Sequence, residues 1–146
     1  MTMSDRRPVR AGMRYIFALF YAAAAYIHLT MPSMFMPVMP DWVPAPGQVI
    51  IFTGLCEIGG AVGLLIPATR RWAGIGLAAY AVAVFPANIK HAIYGPPIHG
   101  LSNMWLYHGP RLVLQPVLVW WALYVGEVTD WPFRRKRDSH ADSIRR

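Results

Sequence analysis

One carboxylate stands in the middle of an apolar, small-residue-rich run. Glu57 lies within Thr53-Gly54-Leu55-Cys56-Glu57-Ile58-Gly59-Gly60-Ala61-Val62-Gly63-Leu64-Leu65-Ile66-Pro67. A lone ionisable group in such a run is costly in a bilayer and faces protein or a water-filled cavity rather than lipid. Gly54, Gly60 and Ala61 sit around it at helical spacing, so neighbouring helices can approach closely there. Four further polar residues, His28, Asn88, Arg111 and Gln115, interrupt other apolar runs. Arg111 and Gln115 are one turn apart and share a helical face. A buried acid needs a partner or a proton. With the termini inside, helix rise places all five in the outer half of one bundle, where Arg111, the only guanidinium there, and His28 are the candidates. The preferred arrangement is a Glu57–Arg111 ion pair assisted by Gln115 and Asn88, with His28 in the same cluster. Such a cluster is a ligand-binding site, or it pins helices together without any reaction.

Three more histidines, His91, His99 and His108, share one loop. With His28 they are candidates for a metal site, since imidazole suits zinc or copper. Their spacings of eight and nine match no standard zinc pattern, and polar loop residues at an interface are the plainer reading. Met31, Met34, Met36 and Met39 offer soft thioether ligands for copper(I). A flexible apolar lid accounts for them more simply. Cys56 is the only cysteine, which leaves no intrachain disulfide and no CxxC pair.

The elements that must carry these residues are helices in a membrane. Hydrophobic residues make up 55% of the 146 and charged residues only 14%, below the roughly 25% of an ordinary soluble domain. Four apolar spans are read at about 15–30, 49–66, 72–89 and 110–126, inside a domain of residues 15–128. The result is an all-α, four-transmembrane-helix bundle. Residues 1–14 form a basic, frayed N-terminal segment, and 129–146 form a basic polar tail. The first span also has signal-peptide features, a basic start and small residues at Ala22–Ala25, but three more spans follow it. On the uncleaved reading Ala18, Tyr21, Ala25 and His28 share a face. Residues 31–48 carry five prolines, which exclude a long regular helix, and fold over the outer mouth of the bundle. Pro86 kinks the third span near its outer end and frees carbonyls there. Pro110 starts the fourth as its first residue.

The net charge of +7 is arranged more tellingly than it is sized. Arg6, Arg7, Arg10 and Arg14, then Arg70 and Arg71, then Arg134, Arg135, Lys136, Arg137, Arg145 and Arg146 all fall on one side of the spans. Only Lys90 and Arg111 lie on the other. This bias places both termini in the cytoplasm. It excludes nucleic acid as a partner, because no soluble basic face remains once the spans are removed. The partner is the lipid bilayer.

The same motifs resemble a known family. His28 ends the first span, and Pro40-Asp41-Trp42-Val43-Pro44 follows. Next come the Glu57 run, Thr69-Arg70-Arg71-Trp72-Ala73-Gly74, Phe85-Pro86-Ala87-Asn88-Ile89 and Arg111-Leu112-Val113-Leu114-Gln115. In order and spacing they resemble the DoxX family of small bacterial membrane proteins, over roughly residues 15–122. The chain departs from that pattern at Val113, where Pro often follows Arg-Leu, and in a longer outer loop. The resemblance implies four helices in a bacterial inner membrane, an association with membrane redox metabolism, and a membrane or redox protein as a further partner.

The expected role is therefore an accessory or ligand-binding component of that metabolism, holding a small, quinone-like ligand in the outer half of the bundle. Two alternatives stand beside it. One is a quinone-linked oxidoreductase subunit, in which His28 or Glu57 accepts a proton. The other is a small transporter or proton pathway, which four spans without a repeated half would build as a homo-oligomer.

Overall fold

A computed structural model describes residues 3–94 and 104–131; the side chains of 3–7 and 104–108 are not among the described ones. The described residues are helical, without strands. Five α-helices follow one another: α1 (Met3–Thr30), α2 (Pro46–Leu65), α3 (Arg70–Ala83), α4 (Phe85–Tyr94) and α5 (Met104–Val125). A 3-10 helix, Pro32–Val38, lies between α1 and α2. Helix α1 packs along α2, α2 along α3, and α3 along α5. The α1–α5 seam that closes this ring is the thinnest.

Among the described residues, two runs are long and apolar enough to cross a membrane: Pro46–Leu65, and Arg70–Tyr94 taken through the α3–α4 junction. A third qualifies if α1 and the 3-10 helix, bent by 92°, count as one span. Large apolar side chains such as Leu19, Phe52, Leu55, Trp72, Val82 and Val113 face outward. The buried core is narrow and rich in small residues, with Ala18, Ala25, Ala61, Ala78, Ala81 and Ala122 among its members. This inside-out distribution suits lipid as solvent, where close backbone packing replaces a large apolar core.

Small residues set how near the helices come. A Cβ on Gly74 would meet Gly126 Cα at 2.7 Å and the Ala122 carbonyl oxygen at 2.8 Å, so α3 and the end of α5 touch backbone to backbone. A Cβ on Gly54 would meet His28 Cβ at 3.0 Å. That approach brings the end of α1 against α2, one turn from Glu57.

Several boundaries differ from those expected. Helix α1 begins at Met3, so the basic segment is helical rather than frayed. Arg10 and Arg14 find partners at the end of α5. Arg10 Nε donates to the Tyr124 carbonyl at 2.7 Å, and Arg14 Nε to the Val125 carbonyl at 2.9 Å. Arg14 and Arg70 both reach Glu127 Oε1, at 2.6 and 3.1 Å. The last carbonyls of a helix lack intrahelical donors, and cations there also suit the helix dipole. Glu127 itself has a left-handed φ of 61°. Val128 N–H returns to the Leu123 carbonyl and Glu127 N–H to that of Tyr124, the pattern in which a helix usually ends on glycine.

The third run breaks at Val84 between α3 and α4, then continues to Tyr94, beyond residue 89. Pro86 has no N–H to donate back into α3, so the helix ladder is interrupted beside it. Helix α5 starts at Met104, which leaves Pro110 inside the helix and not at its first position. Residues 95–103 and 132–146, and so His99 and the basic tail, lie outside the described residues.

Candidate functional site

Glu57 is 3% exposed, the most buried charged side chain described. Its Oε2 lies 2.8 Å from His28 Nδ1, and its Oε1 accepts the Tyr80 hydroxyl at 2.8 Å. Helices α1, α2 and α3 each supply one member of this triad. His28 is placed by Gly54, and its ring meets Phe35 of the 3-10 helix with centroids 4.0 Å apart. Tyr80 lies beside Ala81 on the buried side of α3, its ring 6.1 Å from that of Tyr21. Ala18, Tyr21 and Ala25 are buried on the face of α1 that ends in His28.

Asn88, Arg111 and Gln115 form a second group on α4 and α5. Asn88 Nδ2 donates to Gln115 Oε1 at 3.1 Å. Gln115 Nε2 donates to the Ala81 carbonyl, which sits in the last turn of α3 and has no intrahelical donor of its own. Arg111 Nη1 lies 2.9 Å from His91 Nδ1. A guanidinium has donors only, so this imidazole nitrogen accepts and His91 is neutral in the contact.

The two groups face one cavity of about 760 Å³. His28, Glu57 and Tyr80 line it, and so do Asn88, Arg111 and Gln115. The remaining wall is largely apolar, with Phe20, Ile50, Val84, Leu114 and Leu118 in it. Phe35, Val38 and Met39 close over the His28 end. Lys90 holds that cover down through the Met39 carbonyl and Asp41 Oδ1, each at 2.6 Å.

The expected Glu57–Arg111 ion pair is absent. Glu57 is matched by His28 and Tyr80, while Arg111 is matched by His91. Helix register explains the exchange. The close approach at Gly54 delivers His28 to Glu57. The continuation of α4 to Tyr94 and the early start of α5 set His91 beside Arg111. Tyr80 is the member that sequence reasoning missed. It is the one polar-tipped aromatic within α3 away from the ends, three residues after Leu77 on the buried stripe, and a buried tyrosine hydroxyl usually finds a partner.

Among the described residues no three His, Cys, Asp or Glu side chains gather as metal ligands. Nδ1 of His28 and of His91 are engaged by Glu57 and Arg111, and the side chain of His108 is not described. Met31, Met34 and Met36 point outward from the cover. Chemically, the site offers a hydrogen-bonded acid–imidazole–phenol triad together with a cation and two amides. That set can orient a polar group by hydrogen bonds.

No curated protein and no solved structure matches this chain. The DoxX resemblance is overturned, because the family model that matches is a different one. The redox association that the resemblance implied loses its basis with it. Residues 17–126 match the model described as Domain of unknown function (DUF8561), a stretch that holds the whole cavity wall except Ile16, and the chain belongs to that family.

Proposed function

We propose that this protein is a four-span bacterial inner-membrane protein, both termini cytoplasmic, that binds a small membrane-dissolved molecule in the outer half of its bundle. The charge bias between the two sides of the spans supports the orientation. Helix α5, 22 residues or about 33 Å long at 1.5 Å per residue, serves as the fourth span beside α1, α2 and α3–α4. One observation carries the binding reading. Polar side chains from five helices, otherwise expensive in a membrane, converge on one mostly apolar cavity of ligand size. A network serving only to hold helices together has no need of an open volume of about 760 Å³.

The role is that of a holder: Glu57 and Arg111 set the local charge, and His28, Tyr80, Asn88 and Gln115 orient hydrogen bonds. A second reading, proton transfer to or from the bound molecule, is favoured by the direct His28–Glu57 contact. Gentle purification from native membranes, then mass spectrometry of retained small molecules, tests both. The wild type should carry a defined molecule, and Glu57→Gln should insert normally and lose it. If the wild type retains nothing and Glu57→Gln only lowers thermal stability, the cluster is structural. Turnover of the retained molecule by purified protein would promote the second reading over the first.

A further inference from the structure

The charges around the cavity are not equally matched. Glu57 meets an imidazole and a phenol, and Lys90 meets Asp41. Arg111 meets only the accepting nitrogen of His91, which brings no negative charge. No carboxylate pairs with Arg111 among the described residues. The loop of residues 95–103 contains neither Asp nor Glu. Yet Arg111 lines the cavity, half-buried beside Asn88 and Gln115. A guanidinium drawn out of water without a counter-charge favours an anion, and its planar fork suits one with two or three oxygens.

The cavity also has a side entrance. At the basic end α1 and α5 touch, with the Phe17 and Trp121 ring centroids 4.9 Å apart. Towards His28 the same helices share the cavity wall through Phe20 and Ile27 on α1, and Leu114 and Val117 on α5. All four are large apolar side chains that remain exposed. The volume therefore opens between α1 and α5, along the thinnest seam of the ring.

We propose that the bound molecule is a single-chain amphiphile with an anionic head. It enters sideways from the bilayer between α1 and α5, seats its head on Arg111, and lays its chain along the apolar wall. This rests on the binding reading above and adds the head charge and the route.

The test uses the full chain in nanodiscs of zwitterionic phosphatidylcholine, with empty nanodiscs subtracted. Radiolabelled palmitate and hexadecanol, the same chain with and without a charged head, are measured by scintillation proximity. A radiolabelled neutral short-chain quinone is run beside them as a third probe. Palmitate should bind saturably and about tenfold or more tighter than hexadecanol, the scale of a hydrogen bond to a charged group. Arg111→Gln should remove that preference by weakening palmitate alone, and Arg111→Lys should keep most of it. Ala24→Trp, on the cavity wall of α1, should reduce both probes. Equal affinity for palmitate and hexadecanol in the wild type overturns the anionic head, while the binding reading stands; that comparison decides even if Arg111→Gln fails to insert. Undiminished binding by folded Ala24→Trp overturns the route. If neither probe binds and the quinone does not either, the binding reading fails along with this one.

Discussion

Replacing Glu57 by leucine isolates what the buried carboxylate does for the fold. In the native protein it accepts the Tyr80 hydroxyl at 2.8 Å and meets His28 Nδ1 at 2.8 Å. Leucine supplies neither oxygen. Orphaning a buried donor costs about 1–3 kcal/mol in soluble proteins, but interhelical hydrogen bonds in membranes average nearer 0.6 kcal/mol, with a maximum of about 1.7. Two orphaned partners therefore cost about 1–3 kcal/mol together. His28 can lower its share, because it is partly exposed to the cavity and free to change tautomer. Glu57→Gln keeps the shape, an acceptor for Tyr80 and a donor for His28, so it should cost less than about 1 kcal/mol. The decisive comparison is a double-mutant cycle with Tyr80→Phe, read by equilibrium unfolding in mixed micelles. Tyr80→Phe should cost about 1 kcal/mol in the native background and almost nothing beside Glu57→Leu, because the hydroxyl has by then lost its acceptor. If Tyr80→Phe costs the same in both backgrounds, the two side chains are not coupled and the triad is wrong.

Three further outcomes are expected. Gly74→Ala should destabilise by about 2 kcal/mol or more in a detergent melting assay, since the new methyl meets the backbone of Gly126 and Ala122 rather than a movable side chain; Gly76→Ala, with nothing within 4 Å, should be neutral or slightly stabilising. Glu127→Gly should come out more stable than Glu127→Ala by about 1 kcal/mol in the same assay, because both lose the pairs to Arg14 and Arg70 but only glycine relieves the left-handed backbone; equal stabilities would mean that the φ of 61° carries no strain. In a Cys56→Ser background, an impermeant thiol reagent should label Asp41→Cys in intact cells and Ser139→Cys only after permeabilisation. The reverse pattern would invert the proposed orientation.

Much of the helical plan was legible in the residues. Apolar runs free of charge show where helices can cross lipid, because charge at that depth is expensive. The period of small residues shows which faces pack: Ala18, Tyr21 and Ala25 on α1 are buried as their spacing suggests. The five polar residues singled out by depth all line the same cavity, since rise per residue fixes depth along a helix.

Partner choice was not legible. A hydrogen bond is decided within a few tenths of an ångström, and that depends on how each helix is rotated and how closely its neighbour approaches. Gly54 lets α1 come near enough for His28 to reach Glu57. The end of α3 at Ala83 leaves the Ala81 carbonyl for Gln115. The extension of α4 to Tyr94 gives Arg111 a histidine in place of the carboxylate. Spacing along one chain carries none of this, because each contact joins residues far apart in sequence whose separation is set by the packing of several helices at once.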